Sequence, residues 1–500
     1  MESLPARLAR MVASGPDRIA LVEGGRHVSY ATLWRDAQAF AGILHGAGIA
    51  PGDRVAIVMP NCPEAAAAIY GTWLAGAVAV PLNFQARSRD LRPWLEHCSA
   101  RFVVHQRGHL ASEQVLATAA FPPAALAVAA GQPLAEAAGA PHAAARASAG
   151  PPDVAMILYT SGTTGAPKGV TLSHANLAAN VAAVVAYLRL DSTDRVVSVL
   201  PFYYAYGASV LHTHLSCGGC VVLEPNLLFP RQVGATLQRV QATGFSGVAS
   251  TYALLLDHDA FNGLELPRLR YLTQAGGPLP ATLRSRLRAA LPGLELYLMY
   301  GQTEATSRLT WLPPERLDDK PGSVGIPVQG VRLRVVDADG HDVATGEPGE
   351  VIANGPGIML GYWNDPSATA TTVRDGWLHT GDIGHLDADG FLFLAGRRSD
   401  MIKTGAHRIH PLDIEEAIME LPEVAEVAVY GVDDPLLGQV VGARIVAKSP
   451  IARGAAAVRA HCLARLAPYK VPRHVEFVDH LPRTASGKVR RAELAGGSAP

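Results

Sequence analysis

Between residues 54 and 82 the chain reads as strand, helix, strand. Arg54-Val-Ala-Ile-Val-Met59 and Val78-Ala-Val-Pro-Leu82 are short, continuous apolar runs of the kind found in strands covered on both faces. The intervening stretch from Pro63 to Ala77 is long enough for a helix and opens with proline, whose missing N–H is harmless in a first helical turn. This order calls for a parallel sheet with helices laid against it. The same alternation covers the chain up to about residue 105 and resumes from 153 to about 395. Between about 106 and 152 the composition turns to Ala and Pro and loses apolar variety, which reads as a surface connector without chemistry.

The character changes again at 331. Val331-Arg-Leu-Arg-Val-Val336 alternates, Asp337-Ala-Asp-Gly340 is a hairpin-type turn, and Gly349-Glu-Val-Ile-Ala353 reads as another strand. Asp387-Ala-Asp-Gly390 repeats the turn before Phe391-Leu-Phe-Leu394, so this part is β-rich. Gly396-Arg-Arg-Ser-Asp400 reads as a boundary. Beyond it come a helix from Pro411 to Glu420, strands at Val424 to Gly431 and Ala443 to Ala447, and a helix over about 455 to 466. About a hundred residues of this kind suffice for a separate domain.

Five hundred residues imply more than one folding unit. A formal net charge of −1 gives no bulk attraction to nucleic acid or to an anionic membrane. The N-terminus lacks a basic start followed by an apolar core, and no apolar run reaches spanning length, so neither a signal peptide nor a transmembrane segment is expected. Five cysteines in a chain this long are no disulfide framework, which fits a reduced, cytoplasmic protein. Oligomeric state leaves no mark in the sequence.

The segment Tyr159-Thr-Ser-Gly-Thr-Thr-Gly-Ala-Pro-Lys-Gly-Val170 follows the apolar strand Val154 to Leu158. From Thr160 to Lys168 it concentrates four hydroxyl side chains, two glycines and one lysine. Glycines let backbone N–H groups turn toward a ligand and hydroxyls add donors, a combination suited to phosphate oxygens. A flexible linker would need neither the lysine nor the flanking strand. A Walker A loop is excluded, because Gly169 and Val170 follow the lysine where Ser or Thr is required.

The loop resembles the phosphate-loop signature of the adenylate-forming superfamily, which comprises acyl-CoA synthetases, aryl-acid ligases, luciferases and peptide-synthetase adenylation domains. Further matches follow in the expected order: Tyr300-Gly-Gln-Thr-Glu-Ala305 after the strand Leu296 to Met299, Trp377-Leu-His-Thr-Gly-Asp382, and Leu481-Pro-Arg-Thr-Ala-Ser-Gly-Lys-Val-Arg490. The resemblance implies an α/β fold: a large N-terminal domain (1–396) of two α/β subdomains plus a small β-barrel-like subdomain, a hinge at 397–400, and a mobile α+β C-terminal domain (401–500). It implies ATP and Mg2+ as cofactors. Thr160, Ser161, Gly162, Thr163, Thr164, Gly165 and Lys168 would cradle the phosphates. Glu304 would hold the metal and Thr303 the α-phosphate. Tyr300 would lie near the adenine, Gly301 and Gln302 would belong to the nucleotide site, and Gly276 and Gly277 of Gln274-Ala-Gly-Gly-Pro278 would lie against the adenine and the acyl pocket. Asp382 and Arg397 would hold the ribose hydroxyls, and Lys488 would enter the site during adenylation. Lys403 and Ala406 would border the tunnel for a thiol, either coenzyme A or the phosphopantetheine of a carrier protein on a separate chain. The sequence departs from the family pattern at two places: Ser399 stands at the hinge position that usually holds Asp or Lys, and Ala406 stands where a glycine is usual.

Pro201-Phe-Tyr-Tyr-Ala-Tyr-Gly207 falls where the family shapes its acyl pocket. Tyr203, Tyr204, Gly207, Ser250, Ala275 and Arg308 are the expected lining. Amino-acid-activating relatives place an aspartate near Gly207 to pair with the α-ammonium, and no acidic residue lies between 201 and 220. An unpaired buried ammonium is costly, which favours a fatty or aromatic acid. The alternatives are a free-standing amino-acid (for example proline) adenylation enzyme and a non-enzymatic nucleotide-binding scaffold. His212, His214, Cys217 and Cys220 have loosely zinc-like spacing, but read as the end of a helix and the start of a buried strand.

Overall fold

In the computed structural model of the protein, residues 2–118, 123–137, 154–160, 168–224, 227–397, 400–404, 407–435, 437–483 and 489–495 are described. Among them no helix is long and apolar enough to cross a membrane. Three sheets organise the chain.

The first has seven strands in the order Gly361–Tyr362, Lys168–Ser173, Val154–Thr160, Val78–Pro81, Arg54–Val58, Phe102–Gln106, Ala124–Val128. Its strands run parallel from Val154–Thr160 outward to Ala124–Val128, as the strand–helix–strand pattern predicts. The other edge is antiparallel. The strand Ala124–Val128 and the helix Leu110–Thr118 lie inside the segment read from the sequence as a plain connector. Alanine is a poor strand former, and of that strand only Val128 is fully buried. Pairing with Phe102–Gln106, rather than local preference, makes the strand.

The second sheet starts as a parallel array and continues as an antiparallel one. Ile19–Glu23, Cys220–Leu223, Arg195–Ser198, Gly244–Gly247, Tyr271–Gln274 and Glu295–Tyr300 run parallel. From Glu295–Tyr300 the path passes through Thr310–Leu312, Ser323–Pro327, Leu392–Arg397, Trp377–Leu386, Gly349–Asn354 and Arg332–Val336. The β-rich part is therefore an extension of the second sheet, and among the described residues its strands do not close into a ring. Arg332–Val336 ends the path, paired with Gly349–Asn354 and through Val336 with Asp342 in an isolated bridge.

Helices Tyr30–Gly46, Pro63–Leu74, His174–Leu188 and Ala205–Cys217 share one buried cluster with strands of both sheets. Tyr30, Leu33, Phe40, Tyr70 and Leu211 are fully enclosed there. Each large apolar side chain so enclosed is worth about 1.5–3 kcal/mol.

The third sheet pairs His407–Ile409, Ile402–Thr404, Gly438–Ala447 and Val424–Asp434, with His474–Phe477 added parallel to Gly438–Ala447. Helices Pro411–Met419 and Ala455–Leu463 cover it around Ile402, Ile414, Ile418, Val429, Ile445 and Val458. This part has an apolar core of its own, the property expected of a separate folding unit.

Candidate active site

The strand Val154–Thr160 leaves the first sheet into the hydroxyl-rich loop, and Lys168–Ser173 returns from it, with Thr160 opposite Lys168. Ser161, Gly162, Thr163, Thr164 and Gly165 lie outside the described residues. The returning strand feeds helix His174–Leu188 through a reciprocal cap: Asn176 N–H donates to Ser173 Oγ at 3.0 Å, and Ser173 N–H to Asn176 Oδ1 at 2.8 Å. The Asn176 amide nitrogen then donates to Pro356 O at 2.7 Å and Ile358 O at 2.8 Å. These bonds fix the segment leading to Tyr362, which pairs with Val170 at the sheet edge.

Tyr362 joins two of the expected phosphate-site residues. The Lys168 ammonium lies 5.2 Å from the centre of its ring, a cation–π distance. Its hydroxyl donates to Glu304 Oε1 at 2.8 Å. Burial, with the Glu304 carboxylate beside it, pushes the Tyr362 phenol well above its ordinary pKa, so it stays a donor. Sequence reasoning missed Tyr362: Gly361-Tyr-Trp363 carries no motif, and only the fold brings it to Glu304.

Glu304 sits in the short 3-10 turn Thr303–Ala305, directly after the last parallel strand. Its carbonyl accepts from Met359 N–H at 2.8 Å. The turn doubles back tightly: a Cβ on Gly301 would lie 2.2 Å from Ser307 O, so only glycine fits. Thr306 and Ser307 take φ of +61° and +147°, rarely adopted by non-glycine residues. Such strain concentrates at functional sites. The Gln302 side-chain nitrogen is buried without a hydrogen-bond partner among the described residues. A buried amide donor of this kind calls for an acceptor, and a bound nucleotide offers many.

Tyr300 ends the parallel array, and its hydroxyl donates to Asp382 Oδ2 at 2.6 Å. Burial and the neighbouring carboxylate raise the Tyr300 phenol far above its usual range. Arg397, opposite Asp382 in the antiparallel register, pairs its Nε with Oδ1 at 2.8 Å. An ionised carboxylate is an acceptor-only group, the chemistry that suits a pair of hydroxyl donors. The structure thus forms two clusters, Lys168–Tyr362–Glu304 and Tyr300–Asp382–Arg397, and the short segment from Tyr300 to Glu304 carries one residue of each.

Gly276 and Gly277 follow the strand Tyr271–Gln274, exposed, with Gly276 at φ +91°. The buried Gln274 side chain braces them by donating to Gly277 O at 2.8 Å. Ala275 is buried, and Ser250 is exposed in the first turn of helix Ala249–Asp257. Tyr203 and Tyr204 stack obliquely, ring centres 4.5 Å apart, just before helix Ala205–Cys217. Gly207 is in that helix and packs on the preceding loop; a Cβ there would lie 2.1 Å from Pro201 O. Gly207→Ala is therefore expected to lose about 3 kcal/mol of stability, read as a lower denaturation midpoint. An unchanged midpoint would show that the loop gives way.

Lys403 is exposed in the strand Ile402–Thr404 of the third sheet. Ala406, Ser399 and Lys488 lie outside the described residues, although Arg483 and Val489 on either side of the Lys488 segment pair in an isolated bridge. His214 uses Nδ1 on Val210 O and Nε2 on the Tyr271 hydroxyl, both at 2.9 Å. His212 Nδ1 lies 3.2 Å from the Tyr70 hydroxyl. Burial pushes both imidazoles well down, His212 to about 3. These are neutral core histidines. Among the described residues they do not converge with Cys217 and Cys220.

Residues 8–363 match the family described as AMP-binding enzyme, and residues 413–488 match its C-terminal domain. The chain belongs to the AMP-binding enzyme family. Among its relatives in that family is a feruloyl-CoA synthase from an Amycolatopsis species, 36% identical over 98% of both chains. O-succinylbenzoate CoA synthetase from Bacillus subtilis, solved with its acyl-adenylate intermediate, superposes with a TM-score of 0.87 at 29% identity, covering 100% of this chain and 99% of that one. ATP-bound MatB from Rhodopseudomonas palustris superposes with a TM-score of 0.91 at 31% identity, covering 99% and 98%. The AMP-binding enzyme match spans the Lys168, Glu304 and Tyr362 cluster, and Asp382 lies between the two matched regions.

Proposed function

We propose that this AMP-binding enzyme is an ATP-dependent carboxylate–thiol ligase that acts on a fatty or aromatic acid and releases AMP. One observation carries the reading: the link from Lys168 through Tyr362 to Glu304, with the Tyr300–Asp382–Arg397 cluster only four residues from Glu304 along the chain.

In the first half-reaction a carboxylate oxygen of the acid attacks the α-phosphorus of ATP. The bond from that phosphorus to the bridging oxygen breaks, and pyrophosphate leaves with the electron pair. In the second, a thiol sulfur attacks the acyl carbon of the mixed anhydride, the carbon–oxygen bond to AMP breaks, and the thiol proton passes to solvent. No protein nucleophile is required.

Lys168 and the loop from Thr160 hold the β- and γ-phosphates. Thr303 donates to the α-phosphate, and Asp382 with Arg397 accepts and positions the ribose hydroxyls. Tyr300, Gly301, Gln302, Gly276 and Gly277 border the adenine. Glu304 would hold the metal: only one of its oxygens is engaged by a described residue, and a hard carboxylate oxygen at a phosphate site suits Mg2+. Bound Mg2+ would neutralise charge developing on the phosphates. Lys488 enters for adenylation and stabilises the pentacoordinate α-phosphorus. Residues 397–400 are the hinge on which residues 401–500 turn, replacing Lys488 by the Lys403 and Ala406 segment that receives the thiol. Coenzyme A is the favoured acceptor.

The pocket supports an acid over an amino acid. It offers no carboxylate between residues 201 and 220 for an α-ammonium, and a buried cation, Arg308, would repel one. ATP–pyrophosphate exchange across fatty acids, benzoates, cinnamates and amino acids tests the reading. Exchange with one acyl or aryl class is expected; exchange with amino acids alone would overturn it.

A further inference from the structure

We propose that Arg308 is the counter-ion for a second acidic group on the substrate, so that the acid this enzyme activates is a dicarboxylic one. The proposal rests on the ligase reading above and narrows its substrate class.

Arg308 is 3% exposed, and it is the only lysine or arginine among the described residues to be fully buried. Arginine remains charged in any protein environment, so burial cannot be relieved by losing the proton. Yet none of its contacts is an anion. Nη1 donates to the Ser307 carbonyl at 3.1 Å and to the Ser307 hydroxyl. Nε points at the Met299 sulfur at 3.2 Å, and the guanidinium carbon lies 4.2 Å from the centre of the Tyr206 ring. Other arginines that are better exposed do have carboxylates: Arg26 reaches Glu64 at 2.6 Å, and Arg270 reaches Asp194 at 3.1 Å. Among the described residues no carboxylate pairs with Arg308. A buried, uncompensated cation is among the costlier features a fold can keep, and a ligand anion would compensate it.

The position suits that ligand. Met299 lies in the last parallel strand, and Tyr206 bonds through its hydroxyl to Thr273 Oγ1 at 2.7 Å at the end of the neighbouring strand. The guanidinium thus lies by the carboxyl ends of two parallel strands, where open α/β sheets hold ligands. The backbone at Arg308 is packed against Gly301, in the turn that carries Glu304. An acid with one carboxylate at that turn would direct a second group toward Arg308. The thioether on Nε is a weak acceptor that a carboxylate displaces readily, and the guanidinium fork matches a carboxylate with two parallel bonds.

Pyrophosphate exchange with matched acids decides the matter: hexanoate against adipate, and benzoate against the three benzenedicarboxylates. The wild-type enzyme should favour a diacid at least about tenfold in kcat/KM. R308M, close in volume but uncharged, should lose on the order of a hundredfold for that diacid and shift its preference toward the matched monoacid, with R308K retaining part of the diacid activity. A wild-type enzyme that prefers monoacids would overturn the assignment even if the variants fail to fold. A variant that keeps the diacid preference, or one that changes only the KM for ATP, would overturn it too. Exchange with monoacids alone would leave the ligase reading standing without this inference, whereas silence with every acid would remove both.

Discussion

Lys488→Ala should slow formation of the acyl adenylate by about a hundred- to a thousandfold, the usual effect of removing a preorganised donor aimed at transition-state charge. The charge on the α-phosphorus grows only as the carboxylate attacks, so the loss should fall mainly on kcat. Binding of ATP to the N-terminal region should change little, because Lys168, Glu304 and Asp382 all remain. The second half-reaction offers an internal control. Supplied with preformed acyl adenylate and thiol, the variant should form thioester at near the wild-type rate, because Lys488 has left the site by then in the proposed cycle. Single-turnover measurement of each half-reaction separates the two. Equal loss in both would show a structural role, and no loss in the first would remove Lys488 from catalysis.

Asp382→Ala should weaken ATP binding by roughly 30- to 1000-fold, matching the 2–4 kcal/mol typical when one partner of a buried charged hydrogen-bond cluster is removed. The aspartate is 6% exposed and accepts from both Tyr300 and Arg397. Truncation removes the proposed acceptor for the ribose and also leaves the Tyr300 hydroxyl and the Arg397 guanidinium competing for other partners. Asp382→Asn keeps the shape but loses the charge and should fall between the two. Calorimetry with ATP and with inorganic pyrophosphate discriminates: affinity for ATP should drop while that for pyrophosphate, which has no ribose, holds. Unchanged ATP affinity would take the ribose role away from Asp382.

Much of this architecture is legible in the sequence because the parallel strands are continuous apolar runs and the motif segments follow strand ends. The strand before the hydroxyl-rich loop, the strand ending at Tyr300 and the helices Pro411–Met419 and Ala455–Leu463 fall within a few residues of where their patterns put them, whereas the short strands Ile402–Thr404, His407–Ile409 and His474–Phe477 are not read from the sequence. What the sequence conceals is long-range. Ala124–Val128 becomes a strand only because a partner is available. The β-rich part shares a sheet with the parallel array, and no local pattern reveals that connection. Tyr362 reaches Glu304 over a separation of 58 residues, so no spacing rule could have paired them. Arg308 is expected from the sequence to line the acyl pocket, but its lack of an anionic partner among the described residues is a property of the folded surroundings.

Tyr362 belongs by its backbone to the edge of the first sheet and by its hydroxyl to the turn that ends the parallel part of the second. In the proposed reading, the grip on the phosphates and the mutual alignment of the two sheets are therefore one mechanical property. A substitution deep in either layer, far from any ligand atom, that rotates one sheet by a fraction of a bond length changes the distance across which Lys168 and Glu304 face each other. Random mutagenesis for altered nucleotide affinity should accordingly return hits scattered through the interlayer helices as often as among the residues around Lys168 and Glu304.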